Sequence, residues 1–158
     1  MTKTITLLTA TAMSLTAVLM CNCINDTLTH QYKRLDDGGW DRSDTLVFDL
    51  PEVKVSGVYL PRVLMRSGNL FPYSKLWVCY EVNLEYPRFT GKDTVCIDIA
   101  PKNMKMVSNG LIMRTYSQDS EPIRLSAGQH GRIRIYHLMM QEEMPDIIDV
   151  GTEIRRED

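Results

Sequence analysis

The sequence predicts an all-β fold: a β-sandwich, jelly-roll or Ig-like, of about eight short antiparallel strands, with a β-barrel as the alternative. Three observations carry that reading. Segments that alternate apolar and polar residues recur after Thr45, and a period of two marks a half-buried strand. β-Branched and aromatic residues dominate those same segments, the composition that packs well on a pleated surface. Turn-forming residues separate them, and no amphipathic helix of three turns stands out. A chain of 158 residues with 24% charged and 44% hydrophobic residues is sized for one ordinary globular domain.

The N-terminus reads as an export signal. Lys3 carries the one positive charge, and Thr4 to Met20 then runs 17 residues without a charge, as in the apolar core of a signal peptide. The run is short and threonine-rich for a transmembrane helix, which wants about 20 strongly apolar residues. It lacks a helical stripe and a preceding cap, which weighs against a buried N-terminal helix. Cys21 and Cys23 follow at once. In exported bacterial proteins a cysteine in that place accepts lipid and becomes the new N-terminus. Two or three acyl chains then hold the protein, because one chain binds only marginally. A small residue usually precedes such a cysteine, whereas here Met20 precedes Cys21 and Asn22 precedes Cys23.

Cysteine arithmetic favours Cys23 as the lipidation site, with Cys21 as the alternative. Cleavage before Cys23 removes Cys21 and leaves an even pair, Cys79 and Cys96, in the body. Residues 1–22 are therefore expected to be a lipoprotein signal peptide, 23–31 a tether, and 32–158 the single β-sandwich domain. The eight residues 24–31 reach about 26 Å at most when extended, which keeps the body near the membrane.

Along the body, Leu35 to Asp44 is rich in Asp and Gly and reads as a turn. In Asp44 to Leu50, Leu46, Phe48 and Leu50 share one face of a strand that Pro51 stops. Gly57 to Met65 is a second strand, and Pro61 inside it argues for a sheet edge or a bulge. "SGNLFPYS" is a turn. Leu76 to Leu84 places Leu76, Val78, Tyr80, Val82 and Leu84 on one face and Trp77, Cys79, Glu81 and Asn83 on the other. Asp93 to Ala100 places Val95, Ile97 and Ile99 on one face. "EYPRFTGK" joins these two segments, so an antiparallel hairpin is the simplest arrangement. A symmetric register sets Cys79 opposite Cys96. Gly110 to Tyr116, Arg132 to Met140 and Asp146 to Ile154 read as further strands, with Ile148, Val150, Thr152 and Ile154 sharing the core face of the last.

Catalytic and metal-binding patterns are weak. The acidic residues of the first turn lack calcium-loop spacing. Zinc at Cys21 and Cys23 has only His30 nearby, and His130 and His137, an odd number of residues apart, fall on opposite faces of one strand. Met104, Met106, Met139, Met140 and Met144 offer thioethers that suit Cu(I), but methionine is also a common core filler. No serine-nucleophile elbow and no phosphate-binding glycine loop is present. The expectation is a protein that is not an enzyme, with no cofactor and no metal. A net charge of −2 without a basic stretch points away from nucleic acid. Cys79 and Cys96 form a candidate disulfide that would contribute on the order of 3 kcal/mol; free thiols and a redox couple are the other readings.

Four stretches together resemble a known family. They are "QYKRLDDGGWDRSDTLVFDLP" (Gln31 to Pro51), "MRSGNLFPYSKLWV" (Met65 to Val78), "GKDTVCIDIA" (Gly91 to Ala100) and "YHLMMQEEMPDIIDVGTEI" (Tyr136 to Ile154). Within them stand a Trp40-Asp41 start, Arg66 followed by Pro72-Tyr73 and Leu76, and an acidic ending of Asp146-Ile147 with Asp149-Val150-Gly151. In this the chain resembles the gliding-motility lipoproteins called GldH, found in Bacteroidetes. The resemblance implies a small β-rich lipoprotein on the cell envelope, expected at the outer membrane facing the periplasm. It implies a non-catalytic accessory or scaffold role beside gliding or type IX secretion proteins. Trp40, Arg66, Tyr73 and Trp77 are candidate partner-binding residues, since Trp, Tyr and Arg anchor interfaces. They serve equally well as residues that keep the fold. The competing function is an envelope module binding glycan or peptide, for which exposed Trp77, Tyr80 or Tyr136 on a concave face would speak.

Overall fold

The computed structural model describes residues 26–36, 39–99, 104–106 and 112–157. Among them lie twelve strands: β1 (Thr27–Arg34), β2 (Trp40–Asp41), β3 (Leu46–Leu50), β4 (Gly57–Ser67), β5 (Lys75–Glu85), β6 (Phe89–Asp98), β7 (Met104–Met106), β8 (Ile112–Asp119), β9 (Ile123–Leu125), β10 (His130–His137), β11 (Glu143–Met144) and β12 (Ile147–Glu157). Eight of these have five residues or more, the number of full strands expected. No helix occurs among the described residues.

Two antiparallel sheets form a sandwich, and neither closes into a barrel. The first has the order β1-β12-β4-β8-β7, with β9 also paired to β4; the second has the order β3-β10-β5-β6. A small ribbon of β2 and β11 sits at one end. Alternation explains the layers. Leu76, Val78, Tyr80, Val82 and Leu84 on β5 are all buried, as are Ile133 and Ile135 on β10 and Phe48 and Leu50 on β3. They meet Val63 and Met65 of β4, Tyr116 of β8 and Val150 and Ile154 of β12 in one core. One polar bond crosses that core: the Tyr80 hydroxyl and the Thr152 hydroxyl lie 2.8 Å apart. Each thus satisfies the other's buried oxygen, which would cost roughly 1–3 kcal/mol if left alone.

Four expectations are corrected. Residues 27–31, expected in the tether, lie in β1, which starts at Thr27 and pairs with β12. Pro61 lies neither at an edge nor in a bulge but in the middle of central β4, opposite Ile154. It is tolerated because β8 pairs only as far as Arg62 and β9 only as far as Tyr59. The proline's missing N–H falls at that join, where its carbonyl accepts Ser120 N–H at 2.9 Å.

The β5–β6 hairpin closes earlier than symmetry suggests, with Leu84 opposite Phe89, so Cys79 faces Thr94 and Cys96 faces Trp77. The two cysteines share a face but sit diagonally, about 7–8 Å apart on such a ladder, beyond the usual disulfide span. Both thiols are free. Lastly, β12 shifts register between Ile147 and Asp149. The bulge turns Ile147 into the core in place of Ile148.

Candidate functional site

Strand direction gives the sandwich two distinct ends. Asp26 and the β3–β4, β5–β6 and β9–β10 turns lie at one. The β4–β5 and β10–β11 loops and the β2–β11 ribbon lie at the other. The 11 residues of β4 separate them by about 34 Å.

The end away from Asp26 is built around Trp40, which is fully buried. Its indole N–H donates to the carbonyl of Asp44 at 3.2 Å, and its ring meets His137 edge-on at 5.4 Å. The Asp41 carboxylate accepts the Ser43 N–H at 2.7 Å, closing the turn that follows. Gly39 has φ of +105°, and a Cβ there would fall 2.4 Å from the Met144 carbonyl, so the ribbon admits only glycine. Asp146 ties the β4–β5 loop down: its carbonyl accepts Gly68 N–H and its carboxylate accepts Leu70 N–H. His137 is buried and neither ring nitrogen makes a hydrogen bond. Burial pushes it below the ordinary histidine value, against the opposing pull of the Trp40 main chain and the Asp41 and Glu142 carboxylates; the Arg42 charge adds to the lowering.

On this firm base, apolar groups reach solvent. Trp77 is 43% exposed and Leu138 45%. They are neighbours, since Leu138 N–H donates to the Trp77 carbonyl at 2.8 Å. Met140 and Leu70 on the adjoining loops are more exposed still, at 87% and 82%. Leu138 was not singled out by sequence, and Met140 only as one of the thioethers; the end of the alternating pattern after His137 is the signal that they leave the core.

Next to Trp77, the outer face of the four-stranded sheet carries a polar cluster. Lys92 Nζ donates to the Tyr136 hydroxyl at 2.9 Å, and that hydroxyl donates to Glu81 at 3.0 Å. Lys92 and Arg134 also pair with Glu81, at 3.2 and 3.5 Å. Burial acts to raise the Glu81 carboxyl, but the Tyr136 and Lys92 hydrogen bonds and the two cations outweigh it, and it titrates below the usual range. The Tyr136 and Glu81 hydrogen bonds hold the Lys92 ammonium charged. Cys79 is buried beside this cluster.

The opposite outer face, on the larger sheet, is crossed by ion pairs. Arg62 pairs with Asp119 through two nitrogens and with Glu153 at 3.6 Å. Arg66 pairs with Asp149 at 3.3 Å and lies over the Tyr32 ring at 3.7 Å. Tyr32 in turn covers Gly151, where a Cβ would come within 2.8 Å of the ring.

The sequence candidates therefore divide. Trp40 is interior and holds the fold, so it offers nothing to a partner. Arg66 is engaged by Asp149 and Tyr32 on the outer face of the larger sheet. Tyr73 is half-buried, edge-on to Phe71 at 5.6 Å and packed on the core. Trp77 alone of the four presents a large exposed surface. Tyr80 is buried and Tyr136 is tied to Lys92 and Glu81, so the concave aromatic platform of a glycan or peptide site loses two of its three expected members. The methionine cluster splits, with Met144 in the core and Met140 in solvent. Among the described residues no three His, Cys, Asp or Glu side chains converge as a metal site. Cys21 and Cys23 lie outside the described residues.

The profile of the GldH lipoprotein family matches residues 27–154. The chain belongs to the GldH lipoprotein family. No curated protein matches it. The GldH match begins at the first residue of β1 and ends within β12, so it spans both sheets and the Trp40 ribbon. The Trp40-Asp41 start and the Asp146 to Gly151 ending, distant in sequence, meet in that ribbon: Trp40 pairs with Met144, just before the ending. In this GldH-family chain Trp40, packed against His137, supports the strand end that carries the exposed Trp77–Leu138 patch.

Proposed function

We propose that the protein is a lipid-anchored, non-catalytic component of the bacterial cell envelope, held through Cys23 at the outer membrane and facing the periplasm. It offers a protein-binding patch to a gliding-motility or type IX secretion assembly. The observation that carries this reading is the exposed Trp77 beside Leu138, at the end of the sandwich away from Asp26. Half-exposed aromatic and aliphatic groups on a rigid base, with charged groups beside them, are the makings of an interface hot spot and its polar rim. Anchoring at Cys23 turns that patch away from the bilayer, toward the periplasm.

Affinity purification from the native envelope tests it, comparing the unaltered chain with Trp77→Ala and Leu138→Asp. A specific protein recovered with the first and lost with both variants, each still folded, supports the reading. Recovery unchanged by either variant overturns it.

A further inference from the structure

The Asp26 end also leaves apolar groups in solvent, but of another kind. Val55 is 50% exposed on the β3–β4 loop and Tyr86 73% exposed on the β5–β6 turn. Buried Gln129 locks these turns together. Its main chain bonds Val53 N–H, and its side chain accepts Ser126 N–H and donates to the Pro87 carbonyl. Ala127 N–H bonds the Ser56 hydroxyl at 2.8 Å. Three turns thus form one platform, not three separate loops.

Beside Val55 opens a cleft of about 350 Å³. Leu28, Pro51, Val55 and Tyr59 supply apolar walls, while Asp26, Glu52, Lys54 and Arg156 supply charge. Lys54 faces Glu52 at 3.2 Å and Arg156 faces Asp26 at 3.2 Å. An apolar floor under two cations and two carboxylates is complementary to a zwitterionic phospholipid, whose phosphate and amine meet opposite charges above its acyl chains.

Chain length places this cleft at a bilayer. Two residues, Ile24 and Asn25, separate Asp26 from Cys23, a span of about 11 Å at most over three steps. We propose that the Asp26 end is a second membrane attachment. Val55 and Tyr86 enter the lipid interface, where an aromatic ring with a polar tip is favoured, and the cleft takes one zwitterionic phospholipid head group. This rests on the lipid anchor proposed above. Its benefit is physical: acyl anchors alone leave a body free to swing, whereas a bedded platform fixes the direction in which Trp77 points.

The test uses the full-length lipidated protein in vesicles of phosphatidylethanolamine and phosphatidylglycerol. A photoreactive side chain replaces Val55, Tyr86 or, as control, Met140. Flotation of the same samples reports the anchor independently. At least tenfold more phospholipid adduct at 55 and 86 than at 140, mainly to phosphatidylethanolamine at 55, is the expected result. Val55→Asp, read with the probe at 86, is expected to cut the adduct several-fold. Floating protein with equal adduct at all three positions overturns the platform and leaves the anchor standing. Protein that does not float, with no adduct, overturns both. Adducts at 55 formed with protein alone overturn the lipid assignment in favour of a protein partner.

Discussion

The two ends of this sandwich solve different problems with different chemistry. The Asp26 end is knit by hydrogen bonds from the main chain and side chain of Gln129, and its turns are short. The far end spends large side chains: Trp40, His137 and Met144 fill it, and Asp146 clips its loop. Each end then exposes apolar groups on a rigid base. At one they are Val55 and Tyr86 beside interleaved charges; at the other they are Trp77, Leu138, Met140 and Leu70. Bare hydrophobicity does not distinguish the two. What distinguishes them is the company each group keeps. Between them, the outer face of the larger sheet is crossed by ion pairs of Arg62 and Arg66 with their carboxylates, with no comparable patch among the described residues.

Four experiments press on that contrast. The largest effect is expected from Cys23→Ser, which should move the protein from the membrane to the soluble periplasmic fraction. Cys21→Ser should leave it in place, and fractionation with immunodetection reads both. Trp40→Ala removes the pillar of the far end and should cost about 3–5 kcal/mol in a denaturant titration, whereas Val55→Ala at the other end should cost less than about 0.5 kcal/mol.

Trp77→Ala should leave stability within about 0.5 kcal/mol. It should weaken partner recovery roughly 30-fold, as for a hot-spot residue worth about 2 kcal/mol. The smallest effect concerns His137. Its folded pKa lies below the unfolded value of 6.5, so it stabilises the fold fully above that pH and loses this contribution as pH falls toward its folded value. Unfolding free energy should decline between pH 7.5 and 5.5, and His137→Leu should flatten that decline. The facing Asp41 carboxylate is held below the usual carboxylate range by its Ser43 hydrogen bonds, so it stays charged across this window.

Much of the fold was legible because strand burial has a period of two. The inward residues of β3, β5 and β6 follow directly from alternation, as does membership of the GldH family from four ordered stretches. What alternation lacks is the position of a strand in its sheet and the register of a pair. Pro61 reads as an edge signal, yet sits centrally because two short strands abut it. The cysteine pairing depended on where the hairpin closed, and a shift of two residues separated the thiols. Ile147 replaced Ile148 because a bulge is a local accident of pairing.

The candidate site was less legible than the fold. Trp40, Arg66, Tyr73 and Trp77 share a chemistry but not an environment. Residue type alone does not tell a pillar from an anchor. That difference arises when the chain brings His137 against Trp40 and Tyr32 beneath Arg66, contacts between segments far apart in sequence.

By itself, the sequence determined the all-β class, the faces of its main strands and the family. Each of these is written in local order: period, composition and spacing. Only the tertiary structure decided which aromatic is buried, which turns share an end, and which exposed groups each end carries. Those properties belong to strand pairing across long loops, where burial depends on what the rest of the chain places opposite.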